Sequence, residues 1–329
     1  MSTRFIRMII YWLPMILILS ACQSNPAVVP TADITSPLDR GFKLFADEPL
    51  LPLGPSGRWD SLMLDPGAVV FHDGKFHMFF NSTSAWPATL AVGYAVSPDG
   101  MTWTRVGTQP VFNSESIHWQ SMPGNIQANS VLVEDGIWVL YFTASDAADR
   151  LTGAVGRATA LSPAGPWTVD SEPVLRPGEF SEWDGGAIGH VDVIRSDKGY
   201  VMYYSSTPGI GMASSPDGIK WTKYNNPATT KTDVAKSDPV LNKLSADDPN
   251  VQQTAWGWAM VFHFENSLHY AASLDGIHWA ETPDNPIVDL AGKDIWYSDF
   301  VVHDGMAFLY FEAGAGKASP YLAIWLEEA

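Results

Sequence analysis

The sequence predicts an all-β fold of repeated four-stranded units, the pattern of a β-propeller, and three recurring markers carry this prediction. The first is a turn of the Ser-Pro-Asp-Gly type followed by Trp, found at Ser97–Trp103, Ser162–Trp167, Ser215–Trp221 and Ser273–Trp279. The second is a Pro-apolar-apolar triplet, which begins at Pro49, Pro110, Pro173, Pro239 and Pro286. The third is Trp followed by polar residues, at Trp59, Trp119, Trp183 and Trp296. Repetition at intervals of roughly 50 to 65 residues is typical of propellers and solenoids.

The turn marker predicts the link between the third and fourth strands of each unit. In Ser97–Trp103, Asp99-Gly100 supplies the positive φ that a tight turn needs, and Trp103 begins the returning strand. Because the marker recurs, we expect it to be structural, and we expect functional residues to break the repeat.

Strand-like runs rich in β-branched and aromatic residues lie between the markers, in pairs. Five pairs define units one to five: Gly67–Phe80, Ser130–Phe142, Val191–Tyr204, Asn250–Phe262 and Phe300–Phe311. Each pair is followed by a third strand, such as Ala91–Val96, and then by the turn and a fourth strand. Four antiparallel strands per unit is the pattern of a propeller blade, so we predict five blades.

The last unit lacks a fourth strand, because the chain ends shortly after its third strand, Tyr321–Leu326. Residues 41–47 resemble the returning strands of the other units. We therefore predict that this N-terminal strand completes the last blade and closes the ring, which would leave no unpaired edge between first and last blades.

Composition describes a globular domain with an acidic surface. The 329 residues are 46% apolar and 12% aromatic, enough for a large core, and we assign residues 41–329 to one propeller domain. With 19 Lys and Arg against 36 Asp and Glu, the formal charge is −17. This charge would repel a phosphate backbone, so we exclude nucleic acid as a partner.

The N-terminal segment has the features of a bacterial lipoprotein signal. Arg4 and Arg7 precede the apolar run Met8–Leu19, and Leu19–Cys22 resembles a lipobox. Cys22 is the only cysteine, so lipid attachment explains it better than a disulfide or a chance residue does. We expect residues 1–22 to be the signal, residues 23–40 a flexible tether, and the protein to be exported and anchored through Cys22 on the extracytoplasmic side of a bacterial membrane.

The repeated turns and the segment Asp65–Val69, which opens the first strand of unit one with Asp-Pro, resemble the five-bladed propeller glycoside hydrolases. This group includes arabinanases, levansucrases and invertases, with families 43, 32 and 130, and the resemblance covers residues 41–329. It implies a carbohydrate substrate bound at the axial end of the propeller. It also implies that Asp65 is the general base, whereas the alternative is an Asp that caps a turn before Pro66.

Further carboxylates stand near the beginning of first strands. Asp192 opens unit three, Asp248 follows Asp247 before unit four, and Asp299 opens unit five. We take Asp192 and Asp248 as catalytic candidates and Asp299 as a substrate-binding candidate. Together with Asp65 they could surround the funnel and raise one another's pKa. Unit two departs from the family pattern, because Ala128-Asn129-Ser130 holds no carboxylate.

The general acid of family 43 is a glutamate, and two residues are candidates here. Glu182 lies just before Trp183, and Glu265 ends the second strand of unit four. Each is equally well explained as a solvated loop residue. Asp248 is the alternative acid, since environment decides protonation.

Three further side chains are candidates for binding sugar, of which Trp86 lies outside the repeat, and for the two histidines a structural role is the alternative. Trp86 lies in the loop between the second and third strands of unit one and could stack on a sugar ring, while His118 and His190 could donate hydrogen bonds to it. No spacing among the eight His suggests zinc, and we expect no cofactor. The resemblance allows a calcium ion on the propeller axis, for which the sequence gives no support. We expect a monomer.

Four functions are compatible with these patterns to different degrees. A surface-anchored glycoside hydrolase is favoured, and a carbohydrate-binding propeller without catalysis is the alternative. A sialidase is disfavoured, because its substrate carboxylate needs a cluster of arginines and those of this chain stand at no equivalent positions. A propeller that binds a protein partner remains the general alternative for this fold.

Overall fold

The computed structural model describes residues 42–85, 89–119, 125–145, 153–227, 237–315 and 317–326. The predicted signal, Cys22 and the tether lie outside these residues. All described residues belong to one unit of contacts, Asp33–Ala329. The described part of the chain contains strands and one 3₁₀ turn, Ser114–Ser116, and no helix in it is long and apolar enough to span a membrane.

The described part of the chain contains twenty-one strands, which follow the predicted units in order. A short strand, β1 (Lys43–Leu44), comes first. Unit one holds β2 (Met63–His72), β3 (Lys75–Thr83), β4 (Ala91–Ser97) and β5 (Thr104–Arg105), and unit two holds β6 (Ile126–Glu134), β7 (Ile137–Ser145), β8 (Gly153–Ala160) and β9 (Thr168–Val169). Unit three holds β10 (Val191–Ser196), β11 (Gly199–Ser206), β12 (Gly209–Ser215), β13 (Thr222–Lys223) and β14 (Pro239–Leu241). Unit four holds β15 (Asp247–Thr254), β16 (Gly257–Phe264), β17 (Ser267–Ser273) and β18 (Ala280–Glu281), and unit five holds β19 (Asp294–His303), β20 (Met306–Gly314) and β21 (Ala318–Leu326).

Successive strands of each unit pair antiparallel, except that β14 of unit three pairs antiparallel with β12. Units two and four form four-stranded sheets, and unit three forms a five-stranded sheet. Units one and five share an eight-stranded sheet, joined where Met63 pairs parallel with Ala318, and β1 pairs antiparallel with β21. No sheet in the described part of the chain closes on itself. The all-β prediction is therefore confirmed, while the count of five blades and the closure of the ring stay predictions.

The fourth strands are shorter than predicted. The sequence suggested return strands as long as Trp103 to Pro110, but β5, β9, β13 and β18 contain two residues each. Beyond them, the Pro-apolar-apolar triplets turn back to the third strands: Phe112 bridges to Val92, Leu175 to Val155, Leu241 to Ile210 and Val288 to Leu268. In the same way, Leu50 N–H bonds to Pro320 of β21. A two-residue strand gives little edge for another chain to pair with.

The predicted turns are built as the Ser-Pro-Asp-Gly pattern requires. Ser97 Oγ accepts a hydrogen bond from Gly100 N at 2.8 Å, and Gly100 has φ of +75°. Asp99 Oδ1 accepts from the backbone N–H groups of the two residues after Gly100, and Trp103 Nε1 donates to Gly100 O. The turn is thus closed by its own side chains.

Buried tyrosines connect three of these turns to the preceding unit. Each lies on a second strand and donates its hydroxyl to the carbonyl of the turn glycine: Tyr141 to Gly218, Tyr203 to Gly276 and Tyr310 to Gly100. This link was not predicted from the sequence, where each tyrosine is one aromatic residue in an apolar strand.

A second set of hydrogen bonds connects successive units near the beginning of their first strands. In four of these bonds a polar side chain of one unit accepts from a backbone N–H of the next: Asn81 from Ala128, Ser130 from Val193, Asp192 from Val251, and Asp248 from Ser298. In the fifth, Asp299 of unit five accepts from Val69 N of unit one. Apolar side chains continue the contact, since one buried cluster contains Phe79 of unit one with Phe142 of unit two. The five polar side chains therefore hold each unit to its neighbour.

Replacing Ser130 by Ala should destabilise the protein by about 2 kcal/mol, because Val193 N–H and Asp192 Oδ1 would each lose a buried partner. Ser196→Ala is the matched control, since Ser196 bonds only within its own surface turn and should change stability by less than about 0.5 kcal/mol. Urea unfolding measures both. Equal effects of the two substitutions would show that the Ser130 link does not stabilise the fold.

Candidate functional site

Irregular pairing marks the beginning of four first strands. The register shifts between Asp65 and Ala68 in unit one, and the same irregularity recurs in units two, four and five. In unit four the shift includes Asp248, whose φ is +51°. Bulges of this kind redirect side chains and are frequent next to active sites. The positions that break the repeat therefore lie together at one end of the strands.

A cavity of about 540 Å³ opens at this end, between units one, two and five. Its wall includes the polar side chains of Gln127, Tyr297 and Glu312. Trp296 also lines it, is 45% exposed and stacks on His263 with ring centroids 5.8 Å apart. An exposed indole beside polar groups is suited to the flat faces of a sugar.

Asp65 is buried near this cavity and is only half satisfied. Asn81 Nδ2 donates to its Oδ2 at 3.0 Å, while its Oδ1 accepts no hydrogen bond from the described residues. Burial raises the pKa of Asp65 to about 7 against the opposing effect of the Asn81 bond. This value of about 7 also includes two smaller effects: the charge of Asp248 raises the pKa of Asp65, and the charge of His190 lowers it.

Glu312 is a buried carboxyl group in the cavity wall itself, and sequence reasoning missed it. Its side chain is 2% exposed, and its Oε2 has no hydrogen-bond partner among the described residues. Burial, followed by the charges of Asp65 and Asp248, raises the pKa of Glu312 well above its usual value. The available signal was a lone glutamate within the apolar strand β20, because such a residue is seldom buried without a purpose.

His190 and Asp247 form an ion pair, and the charge of His190 acts on Asp65. His190 Nδ1 contacts Asp247 Oδ1 at 3.0 Å, and the His190 ring packs against Tyr297 with centroids 4.4 Å apart. Burial lowers the pKa of His190, but Asp247, Asp248 and Asp65 together raise it to about 9. An imidazolium at neutral pH therefore faces several acidic groups.

The predicted carboxylates Asp192, Asp248 and Asp299 are engaged by the scaffold. Both oxygens of Asp192 accept hydrogen bonds, from Ser130 Oγ and Val251 N, and both oxygens of Asp299 accept backbone N–H bonds. Burial is the main cause that raises the pKa of each, to about 6 for Asp192 and Asp248 and well above the usual value for Asp299. We attribute to Asp192 and Asp299 the connection of neighbouring units.

Other candidates lie away from the cavity wall. Glu182 Oε2 accepts from Glu179 N within a local turn, and Glu265 is exposed in a hairpin turn with φ of +50°. His118 is exposed and is not part of the cavity wall. Trp86 lies outside the described residues. The geometry thus favours Glu312 over either sequence-predicted glutamate.

Unit two indeed presents an amide where the family pattern has a carboxylate. Asn129 is buried, and its Oδ1 accepts a hydrogen bond from Thr143 Oγ1 at 2.9 Å. Among the described residues, no group of three or more His, Cys, Asp or Glu side chains could hold a metal ion.

Comparison with known proteins gives a fold but no assigned activity. No family model matches the chain. The uncharacterized protein Rv1502 of Mycobacterium tuberculosis is 25% identical over 216 residues, which cover 58% of this chain and 69% of that protein. The uncharacterized protein MT1551 of the same species is 24% identical over 184 residues, and the match covers 49% of this chain and 58% of that protein.

Solved structures match over most of the chain. A glycosyl hydrolase from Bacteroides ovatus superposes with a TM-score of 0.66 at 16% identity, over 88% of this chain and 94% of that chain. A second structure comes from the GH130 family of mannoside phosphorylases, which contains glycoside hydrolases that target β-1,2 mannosidic linkages in Candida mannan. It superposes with a TM-score of 0.65 at 18% identity, over 88% of this chain and 94% of that chain. The family 117 glycoside hydrolase Zg3597 of Zobellia galactanivorans superposes with a TM-score of 0.64 at 18% identity, over 86% of this chain and 89% of that chain. The chain therefore has the fold of these glycoside hydrolases.

Asp65→Asn should make stability less dependent on pH. Because folding raises the pKa of Asp65 to about 7, its contribution favours the folded state below about pH 4 and is lost as pH rises through about 7. The unfolding free energy of the variant minus that of wild type should therefore be larger at about pH 8 than at about pH 4, by on the order of 3 kcal/mol.

Urea unfolding at the two pH values measures this difference. Asp304→Asn makes the same chemical change on a side chain that is 82% exposed and should show no such gain. If Asp65→Asn and Asp304→Asn respond alike, Asp65 is not an unfavourably buried charge.

Proposed function

We propose that this protein is a glycoside hydrolase that cleaves an oligosaccharide or polysaccharide in the 540 Å³ cavity. The observation that carries the proposal is the pair Asp65 and Glu312. Both are buried, each has one oxygen without a partner among the described residues, and the charge of Asp65 raises the pKa of Glu312. The likeness in fold to glycoside hydrolases supports it.

The different environments of the two carboxyl groups suggest their roles. Burial raises the pKa of Glu312 well above the usual value, which favours the protonated acid, and this acid can give its proton to the glycosidic oxygen as the bond to the sugar carbon breaks. Asp65, with a pKa of about 7, is ionised in part of the molecules and can accept a proton from attacking water or attack the sugar carbon itself. Both alternatives use one acid and one base.

Neighbouring groups would prepare the pair for this work. The positive charge of His190 lowers the pKa of Asp65 and so favours the ionised base, against the effect of burial. Tyr297 and Gln127 in the cavity wall offer hydrogen bonds to sugar hydroxyls, and Trp296 offers a stacking surface at the rim. The cavity thus combines an acid, a base and the two kinds of contact that sugars need.

The finer architecture and location are part of the same proposal. We infer a five-bladed propeller in which β1 completes the last blade, supported by its pairing with β21 and by the hydrogen bond from Val69 N to Asp299. We also infer a monomeric lipoprotein, held through Cys22 and a tether of residues 23–40 on the extracytoplasmic side of a bacterial membrane, supported by the lipobox-like Leu19–Cys22. Incorporation of labelled palmitate that is lost in Cys22→Ala would test the anchor.

Substrate screening tests the activity. The purified protein should release sugar from at least one of arabinan, xylan, fructan and mannan, with a β-1,2-linked mannan included because of the GH130 likeness. Asp65→Asn and Glu312→Gln should each lower kcat by roughly 100- to 10,000-fold. Glu265→Gln, which changes an exposed glutamate, is the control and should keep wild-type turnover.

The pH profile of kcat/KM should fall on the acidic side near pH 7, where Asp65 becomes protonated. Glu312→Gln should remove the alkaline limb, because that limb reports loss of the acid proton. Saccharide binding with no turnover in wild type would overturn the hydrolase proposal and favour a carbohydrate-binding protein, which the amide of Asn129 in place of a carboxylate already suggests.

Trp296→Ala should raise KM by about tenfold and leave kcat nearly unchanged, because the indole would bind a sugar ring equally in the ground and transition states. Steady-state kinetics on the best polysaccharide measure both constants. Phe180→Ala is the control, since Phe180 is 96% exposed but is not part of the cavity wall. An unchanged KM in Trp296→Ala would mean that this indole does not contact substrate.

A further inference from the structure

A second, smaller cavity lies where units three and four begin. Its volume is about 260 Å³, and hydroxyl side chains dominate its polar wall: Ser205, Ser206, Thr207 and Ser245. Asp247 is the acidic residue of the wall, and the remaining lining residues are glycine or alanine. The first cavity has a different composition, because aromatic and apolar side chains stand beside the polar residues of its wall.

One buried polar atom of this wall has no hydrogen-bond partner among the described residues. Ser206 is 6% exposed, and its Oγ makes no hydrogen bond within the described ranges. Asp247 Oδ1 accepts from His190, Ser205 and the N–H of Asp248, and the Asp247 side chain is 40% exposed, so it can also accept from a ligand. A buried hydroxyl without a partner costs free energy unless a ligand or water satisfies it.

Asp247 carries its negative charge at neutral pH. Burial alone would raise its pKa, but the charge and hydrogen bond of His190, with further bonds from Ser205 and Asp248 N, bring it below the usual value. The cavity therefore offers a carboxylate oxygen as acceptor and several hydroxyls that both donate and accept.

We propose that this second cavity binds one monosaccharide ring through its hydroxyl groups. The carboxylate oxygen can accept hydrogen bonds from sugar hydroxyls, and Ser206 Oγ can donate to or accept from another. The volume of about 260 Å³ lies below the roughly 300–1,000 Å³ of pockets for drug-sized ligands, so it fits a single ring. The choice of a sugar as ligand rests on the proposed function.

Two consecutive residues of the chain connect the two cavities. Gly189 lines the second cavity, and the next residue, His190, packs its ring against Tyr297 in the wall of the first. The bound ring could therefore be one unit of the substrate chain or a free monosaccharide. Both would present the same hydroxyl groups, and binding experiments distinguish them.

Saturation-transfer NMR tests the proposal with free L-arabinose, D-xylose, D-fructose and D-mannose, and with oligosaccharides of the same sugars. Thr207→Phe places a bulky ring at an exposed position of the cavity and should weaken binding by about tenfold. Ser206→Ala should weaken it by a smaller factor. Thr104→Phe, the same change at an exposed position of β5, is the control and should bind as wild type does.

Loss of free-sugar binding in Thr207→Phe would support a separate monosaccharide site, and loss of oligosaccharide binding alone would support a unit of the substrate. The proposal is overturned if no sugar binds, or if Thr207→Phe binds every sugar as well as Thr104→Phe does. If binding depends on Thr207 but no polysaccharide is cleaved, the hydrolase proposal fails and this one stands. If polysaccharide is cleaved but no sugar binding depends on Thr207, the second-cavity proposal fails and the hydrolase proposal stands.

Discussion

The structure depends on hydrogen bonds that a backbone N–H of one unit donates to a polar side chain of another unit, near the beginning of the first strands. A buried backbone N–H that lost its partner would cost free energy, so each of the five positions needs an acceptor of the right reach. Aspartate supplies it at Asp192, Asp248 and Asp299, and serine at Ser130. In unit one the acceptor comes from the second strand instead, as Asn81.

The carboxylates that make these hydrogen bonds also raise the pKa of carboxyl groups near the cavity. Carboxylates that link units must be buried, and once buried they raise the pKa of the carboxyl groups around them. Asp248 links unit four to unit five and also raises the pKa of both Asp65 and Glu312. His190 opposes that effect at Asp65 with a positive charge. The residues that stabilise the fold therefore also tune the proposed acid and base.

The sequence predicted the repeat well, because local chemistry determines it. The turn around Asp99-Gly100 is closed by its own side chains, so its pattern was sufficient to place it. Glu312 could not be placed in the same way, since its position in the wall depends on how units one and five pack. Asp192 was expected in the funnel, but the residue that engages it, Val251, is distant in sequence. Residues with local partners were predictable, and those with distant partners were not.

The central claim is that burial keeps Glu312 protonated at neutral pH while Asp65 titrates beside it. Infrared difference spectroscopy between wild type and Glu312→Gln measures this directly through the carbonyl stretch of a protonated carboxyl group. The account predicts that wild type at neutral pH shows such a band and that the variant loses it. A wild-type spectrum in which the difference contains only carboxylate bands would contradict the account, because Glu312 would then be ionised and unable to act as the acid.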